Sequence, residues 1–187
     1  YVGWTYTGTS QRTLSGTASN AKTKLESWYN SNIGNNTTYA SKIADGKYCN
    51  DRNVASGYTW AISPSSMFYY AARTRLYTDY APTLACNSGD VYTLKVGLIT
   101  TDEVEFAGGK NENNTSYYLY NGQNYWTMSP FYWGGTSAVV FVVDTYGDLS
   151  GNYVNNARGL RPVINLKVDT LFATGGTGTQ SNPYVVS

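Results

Sequence analysis

The side chains that most often run chemistry are scarce or awkwardly placed in this sequence. It contains no histidine, which removes Ser-His-Asp and Cys-His nucleophile systems, imidazole metal ligation and a base titrating near neutral pH. Carboxylate pairs remain, and glycoside cleavage needs only two such groups. Asp102, Glu103 and Glu105 stand close together, but an acidic first helical turn, favoured by the helix dipole, explains them. Asp144 and Asp148 form a second pair around Thr145, Tyr146 and Gly147, and a turn accounts for that spacing. Gly175, Gly176 and Gly178 lack the following helix that a phosphate-cradling loop requires. LFATGGTGTQSNPY therefore reads as a hairpin turn between Leu171 and Val185. Cys49 and Cys86 are too far apart for a C-x-x-C redox couple, and two cysteines without histidine cannot supply the usual zinc ligands. A structural disulfide joining them is expected, and it favours an oxidising compartment. The sequence implies no catalysis, no cofactor and no metal.

The elements that must position any functional side chain fall into two halves. Helical spacing runs from Ala18 through Ala21, Leu25 and Trp28, with Lys22, Lys24 and Glu26 off the stripe, and Asn30–Asn36 ends it. A shorter helix is expected over Thr38–Ala44. Ser63 followed by Pro64 is a helix start, so Ser65–Tyr77 should be helical. Thr100 stands three residues before Glu103, the capping-box spacing, which predicts a helix over Thr101–Ala107 stopped by Gly108 and Gly109. The β-type runs are Tyr1–Tyr6, Leu94–Ile99, Tyr125–Met128, Val139–Val143, Tyr153–Val154, Val163–Leu166 and Tyr184–Val186. Helices lie mainly in the N-terminal half and short antiparallel strands in the C-terminal half. That order is α+β rather than a doubly wound parallel sheet.

With 187 residues, one domain is the default. Charged residues are only 13% while aromatics reach 16%, nineteen of them Tyr, and Tyr with Ser, Gly and Asn is the composition of antibody-like contact loops. Composition thus points to recognition; the alternative is that Tyr covers a small β-rich core. A net charge of +1 without a basic run argues against nucleic acid. No apolar stretch approaches the roughly 20 residues that span a bilayer, so the chain reads as an excised ectodomain.

The segment Tyr125–Leu166 concentrates the case. YWTMSP ends in a turn at Ser129 and Pro130, and GLRPVINL follows about thirty residues later, with NPYVV beyond it. Together with CNDR, GLITTDEV, AGG, SYYLY and NGQNYWTMSP, this series closely resembles a family of surface proteins of Gram-positive gut bacteria. The C-terminal frame also resembles the variable proteins diversified by retroelements, whose C-type-lectin-like fold is related to that of formylglycine-generating enzymes. The resemblance implies a single C-type-lectin-like domain over residues 1–187, with 125–166 as its variable ligand-binding segment. It implies no formylglycine-generating activity, because that chemistry needs a reactive cysteine pair in the C-terminal region. Lectin-like folds often hold calcium in loops rich in carboxylates and carbonyls, and no such loop stands out here.

Carried over position by position, the contact residues are Tyr132, Trp133, Thr136, Ser137, Val139, Phe141, Asp144, Tyr146, Asp148, Ser150, Asn152, Tyr153, Asn155, Asn156 and Arg158. Val140, Val142, Leu149 and Val154 are the expected scaffold. Alternation from Val139 to Val143 would give one core face and one binding face; the competing reading buries Phe141, Tyr146 and Tyr153. Trp126 and Met128 belong in the core, and Arg161 is an ion pair or carbonyl clamp. The expected function is noncatalytic, adhesin-type binding of a protein or glycan ligand on another cell, phage or host surface, by a monomer at the cell surface. Alternatives are a pilin-like structural subunit and a glycan-processing enzyme using a carboxylate pair.

Overall fold

The computed structural model describes residues 4–6, 14–59, 67–135, 137–179 and 181–186. It is a mixed α+β structure in which N-terminal helices pack on a C-terminal antiparallel sheet. Strand β1 (Trp4–Tyr6) pairs antiparallel with β2 (Leu14–Ala18). Helix α1 (Asn20–Tyr29) starts where the Ser19 side chain accepts from the Lys22 amide. Its buried positions are Leu25 and Tyr29; Trp28, expected on the stripe, stays 39% exposed. The helix does not stop at Asn30 but continues as a π-helical turn, Asn30–Gly34. Asn36 then caps α2 (Thr37–Ser41) by accepting from the Thr38 and Tyr39 amides.

The expected helix over Thr38–Ala44 ends early. Ile43 and Ala44 form strand β3, which pairs with β10 (Asn165–Leu166), and Ile43 enters the core. Strand β4 (Gly46–Cys49) pairs with β6 (Val91–Leu94), so this β-run lies earlier than Leu94–Ile99; beyond it Gly97 bridges Val163. Cys49 and Cys86 are disulfide-bonded.

The largest departure concerns Ser65–Tyr77. Ser63 and Pro64, the expected helix start, lie outside the described residues. Met67–Tyr69 is strand β5, not helix, and only then does the chain enter α3 (Ala71–Thr74) and a π-helical turn, Arg75–Asp79. Two forces override the helical pattern. The edge of the sheet offers β5 hydrogen bonds, and an extended backbone sends Phe68 and Tyr70 inward, each 1% exposed. Helix α4 (Thr101–Phe106) follows the local signal: Thr100 and Glu103 make the reciprocal capping box, and Gly108 takes φ +99° just beyond the helix.

The main sheet has the order β5-β7-β8-β9, with β7 (Tyr125–Gly134), β8 (Ala138–Val143) and β9 (Leu149–Tyr153). Strand β7 runs through Ser129 and Pro130, where the sequence pattern had placed a turn. Its register with β8 is irregular on both sides of Pro130, the accommodation a residue without an amide proton needs inside a sheet. Both faces of β8 are covered. Val140 and Val142 pack with Trp126, Met128 and the α1 residues Leu25 and Tyr29. Phe141 and Val143 pack with Ala72, Leu76, Val104 and Leu149. Each such side chain contributes about 1.5–3 kcal/mol when fully buried. At the C-terminal end Phe172 bridges Val186 around turns with left-handed Gly175 and Gly178, the hairpin expected there. Tyr184–Val186 contributes that bridge rather than a strand. Among the described residues no helix is long and apolar enough to cross a membrane.

Candidate functional site

Residues directly opposite one another in an antiparallel sheet share a face. The register pairs Tyr69 of β5 with Tyr132 of β7, Tyr132 with Val139 of β8, and Val139 with Tyr153 of β9. Three tyrosines and one valine therefore form a single row across all four strands. Val139 is 2% exposed while Tyr153 is 48% exposed, so the row rises from the core towards solvent at the β9 edge. Tyr58 extends it at the other edge, 5.2 Å from Tyr69, and the Tyr69 and Tyr132 rings lie 6.1 Å apart at 74°. The Tyr132 phenol is pushed above its ordinary pKa by its hydrogen bond to Tyr153, with burial adding to the effect. Next to the row, the Arg73 guanidinium of α3 lies 3.8 Å from the Tyr69 ring centre, and 5.4 Å and 5.5 Å from those of Tyr77 and Phe131.

The structure divides the expected contact residues into three groups. Tyr132, Trp133, Ser137, Asn152, Tyr153, Asn155 and Asn156 cluster around the β7–β8 turn and the end of β9, all exposed or half-buried. Within this group the Asn156 side-chain amide donates from Nδ2 to the Asn152 side-chain Oδ1 at 2.6 Å. Trp133 pairs with Phe68 and Ala138, one position along each strand from the tyrosine row, which turns it to the opposite face. Asp144, Tyr146 and Asp148 occupy the β8–β9 turn at the other end of the strands, roughly 17 Å away by strand geometry. Ser150 and Arg158 are half-buried between these regions; the Arg158 guanidinium donates to the Ala157 carbonyl. Thr136 lies outside the described residues.

Val139 and Phe141 are corrections. They are 2% and 0% exposed: α3 and its π-helical turn cover Phe141 through Ala72, Leu76 and Tyr77, and Val139 lies on the central strand between Tyr132 and Tyr153. Of the expected scaffold, Val140, Val142 and Leu149 are buried, but Val154 is 42% exposed just past the end of β9. Trp126 and Met128 are core residues as expected, and Arg161 clamps the Leu119 carbonyl beneath the Tyr125 ring.

Three of the carboxylates, Asp144, Glu103 and Asp102, accept hydrogen bonds that shape the local structure, whereas the Asp148 Oδ1 is buried without a partner among the described residues. Asp144 accepts from the Tyr146 and Asp148 amides and so shapes its turn. Gly147 completes that turn at φ +77°, where a Cβ would fall 1.8 Å from the Asn114 carbonyl oxygen. Burial, and then the nearby Asp144 charge, raise the Asp148 pKa. Glu103 accepts from both the amide and the hydroxyl of Thr100. Asp102 takes a two-pronged hydrogen bond from Arg75 at 2.8 and 2.9 Å, and Arg75 also reaches Asp51 at 2.9 Å. Burial opposes the Arg75 charge, but the two carboxylates outweigh it and hold its pKa above the usual value. These groups line a cleft of about 650 Å³ under the disulfide, with Lys47 and Ser129. Among the described residues no His/Cys/Asp/Glu cluster is arranged to hold a metal ion.

Sequence reasoning missed the contribution of the N-terminal half, namely Tyr58, Tyr69 and Arg73. The available signal was MFYY itself, where alternating Phe68 and Tyr70 mark a short strand that sends Tyr69 outward. No curated protein and no solved structure matches the chain. Residues 92–168, which run from β6 to just past β10 and include Tyr132 and Tyr153 but not Tyr69 or Arg73, match the family model described as Domain of unknown function (DUF6273).

Proposed function

We propose that this chain is a noncatalytic ligand-binding module of the adhesin or receptor type, displayed at a cell surface and built on a C-type-lectin-like fold. The observation that carries the reading is the tyrosine row Tyr69–Tyr132–Tyr153, stiff amphipathic contact area set across a rigid sheet. Exposed Asn155 and Asn156 beside it supply adaptable hydrogen bonds. The disulfide fits an oxidising, extracellular location. Diversification by a retroelement belongs to the same proposal, with its variable positions limited to exposed or half-buried residues such as Ser137, Asn152, Tyr153, Asn155 and Asn156.

The test is a screen of the folded chain against arrays of protein ectodomains and glycans, with hits quantified by interferometry. A Tyr132→Ala/Tyr153→Ala double variant should bind at least tenfold more weakly while still unfolding in one cooperative transition. A ligand whose affinity ignores both tyrosines would refute the reading, and turnover of a glycan abolished by Asp148→Asn would favour a hydrolase instead. Sequencing of the coding segment in the source population tests diversification separately. Substitutions should concentrate at adenines in codons of exposed positions and spare Val139 and Phe141.

A further inference from the structure

Five arginines lie within the described residues, and four of them donate to an oxygen acceptor. Arg52 pairs with Asp90, Arg75 with Asp51 and Asp102, Arg158 with the Ala157 carbonyl, and Arg161 with the Leu119 carbonyl. Arg73 differs. Its neighbours are the rings of Tyr69, Tyr77 and Phe131, and its Nε, like that of Arg158, is buried with no hydrogen-bond partner, but unlike Arg158 it donates to no acceptor among the described residues through its other nitrogens. All twelve Asp and Glu residues of the chain are among those described, and none forms an ion pair with Arg73. The Tyr77 hydroxyl is committed elsewhere, to the Leu149 carbonyl at 2.7 Å.

A guanidinium carries five N–H donors; the Nε–H of Arg73 is buried and unmatched, which is unfavourable, and the remaining four have no acceptor among the described residues. Stacking holds the charge by its faces and leaves the edge, where the N–H groups lie, unpaired. We propose that Arg73 is the anchor of the binding surface and takes a carboxylate, an Asp or Glu side chain of an acidic protein partner laid across Tyr69, Tyr132 and Tyr153. The inference rests on the ligand-binding reading above and names the chemistry of its ligand.

Two observations set the choice of partner. No second Lys or Arg of the described residues stacks on these rings, so one cation meets an anion of one charge, which favours carboxylate over phosphate. The rings tile edge to face, with Tyr69–Tyr132 at 74°, Phe131–Tyr132 at 66° and Tyr77–Phe131 at 81°, and Arg73 covers one Tyr69 face. Around Arg73 the rings thus turn edges rather than faces outward, and the open ring is Tyr153, 48% exposed at the far end of the row. Edges and hydroxyls suit the side chains of a protein surface.

The experiment follows the Arg73 Nε–H resonance by NMR in the whole disulfide-bonded chain. The probes are the peptides acetyl-Asp-Tyr-Asp-amide and acetyl-Asn-Tyr-Asn-amide, with glucuronate and galactose as the sugar pair. The acidic peptide should shift the resonance saturably and bind at least tenfold more tightly than its amide counterpart, and 0.5 M salt should weaken it. Arg73→Gln should abolish the difference between the two peptides, read on the Tyr153 ring signals, and Arg73→Lys should restore only part of it, with Tm confirming that both fold. Equal binding of the two peptides, or a preference that survives Arg73→Gln, would overturn the anchor. Glucuronate binding better than the acidic peptide would overturn the protein partner. If an array ligand is lost with Tyr132→Ala/Tyr153→Ala but kept with Arg73→Gln, the anchor fails and the binding surface stands; if neither variant loses it, both fail.

Discussion

Replacing Phe141 by alanine should remove about 4 kcal/mol of stability. The side chain is 0% exposed and packs edge to face against Phe131 at 4.6 Å and Tyr77 at 6.0 Å. Truncating such a phenylalanine typically costs about 3–5 kcal/mol, because the transfer loss and the residual cavity add. A domain holds only about 5–15 kcal/mol in total, so the variant should lose between roughly a quarter and four fifths of its margin. Tyr153→Ala, on the same sheet but 48% exposed, should cost less than about 1 kcal/mol. Equilibrium urea unfolding measures both. With a slope of about 2 kcal/mol per molar, Phe141→Ala should lower the midpoint by about 2 M while Tyr153→Ala barely moves it. A Phe141→Ala midpoint within about 0.5 M of wild type, at an unchanged slope, would mean that α3 does not cover this face and that Phe141 is available for contact after all.

Three further outcomes follow from the same structure. The disulfide closes a loop with a sequence separation of 37, and the chain-entropy relation gives about 4 kcal/mol for its loss; Cys49→Ser/Cys86→Ser, or reduction, should show that deficit in urea. Arg75→Met should cost about 2–4 kcal/mol, since it strands Asp102 and Asp51 with side chains 8% and 14% exposed, and the loss should be measurable by thermal unfolding. Asp148 has a raised folded-state pKa, so the folded chain holds its proton more tightly than the unfolded chain does. Stability from this group is present below the unfolded value near 4 and lost as pH climbs through the raised folded value. Asp148→Asn should therefore leave the protein more stable at pH 7 and flatten its stability profile in the acid range, as read by urea unfolding at several pH values.

Local signals were legible in the sequence. The Thr100–Glu103 box fixed helix α4 to within a residue because its partners are three positions apart, and Cys49 with Cys86 left one pairing. Non-local effects were not legible. Strand β5 has three residues and owes its conformation to β7, more than sixty positions away, so its helix-like composition misled. Strand β8 reads AVVFVV, a continuous apolar run rather than an alternation, and such a run marks a strand covered on both faces. An inside-outside alternation therefore does not apply to β8, whose residues from Val139 to Val143 are all buried. The tyrosine row depends on the register of four strands, and Arg73 reaches it from a helix that the sequence pattern began too early.

The first of the two cores joins Leu25, Tyr29 and Ile43 to Trp126, Met128, Val140 and Val142. A ribosome emits these groups about a hundred residues apart. Until β7 and β8 have emerged, α1 can lie only on the part of this core made by Ile43, Tyr48, Val96 and Leu98, and an isolated helix of its length is marginal in water. This core is therefore incomplete until Val142 has emerged, and it closes late relative to the synthesis of α1. Chain order thus makes folding close to all-or-none with respect to length: fragments ending before Val143 should lack a cooperative transition, whatever their disulfide state.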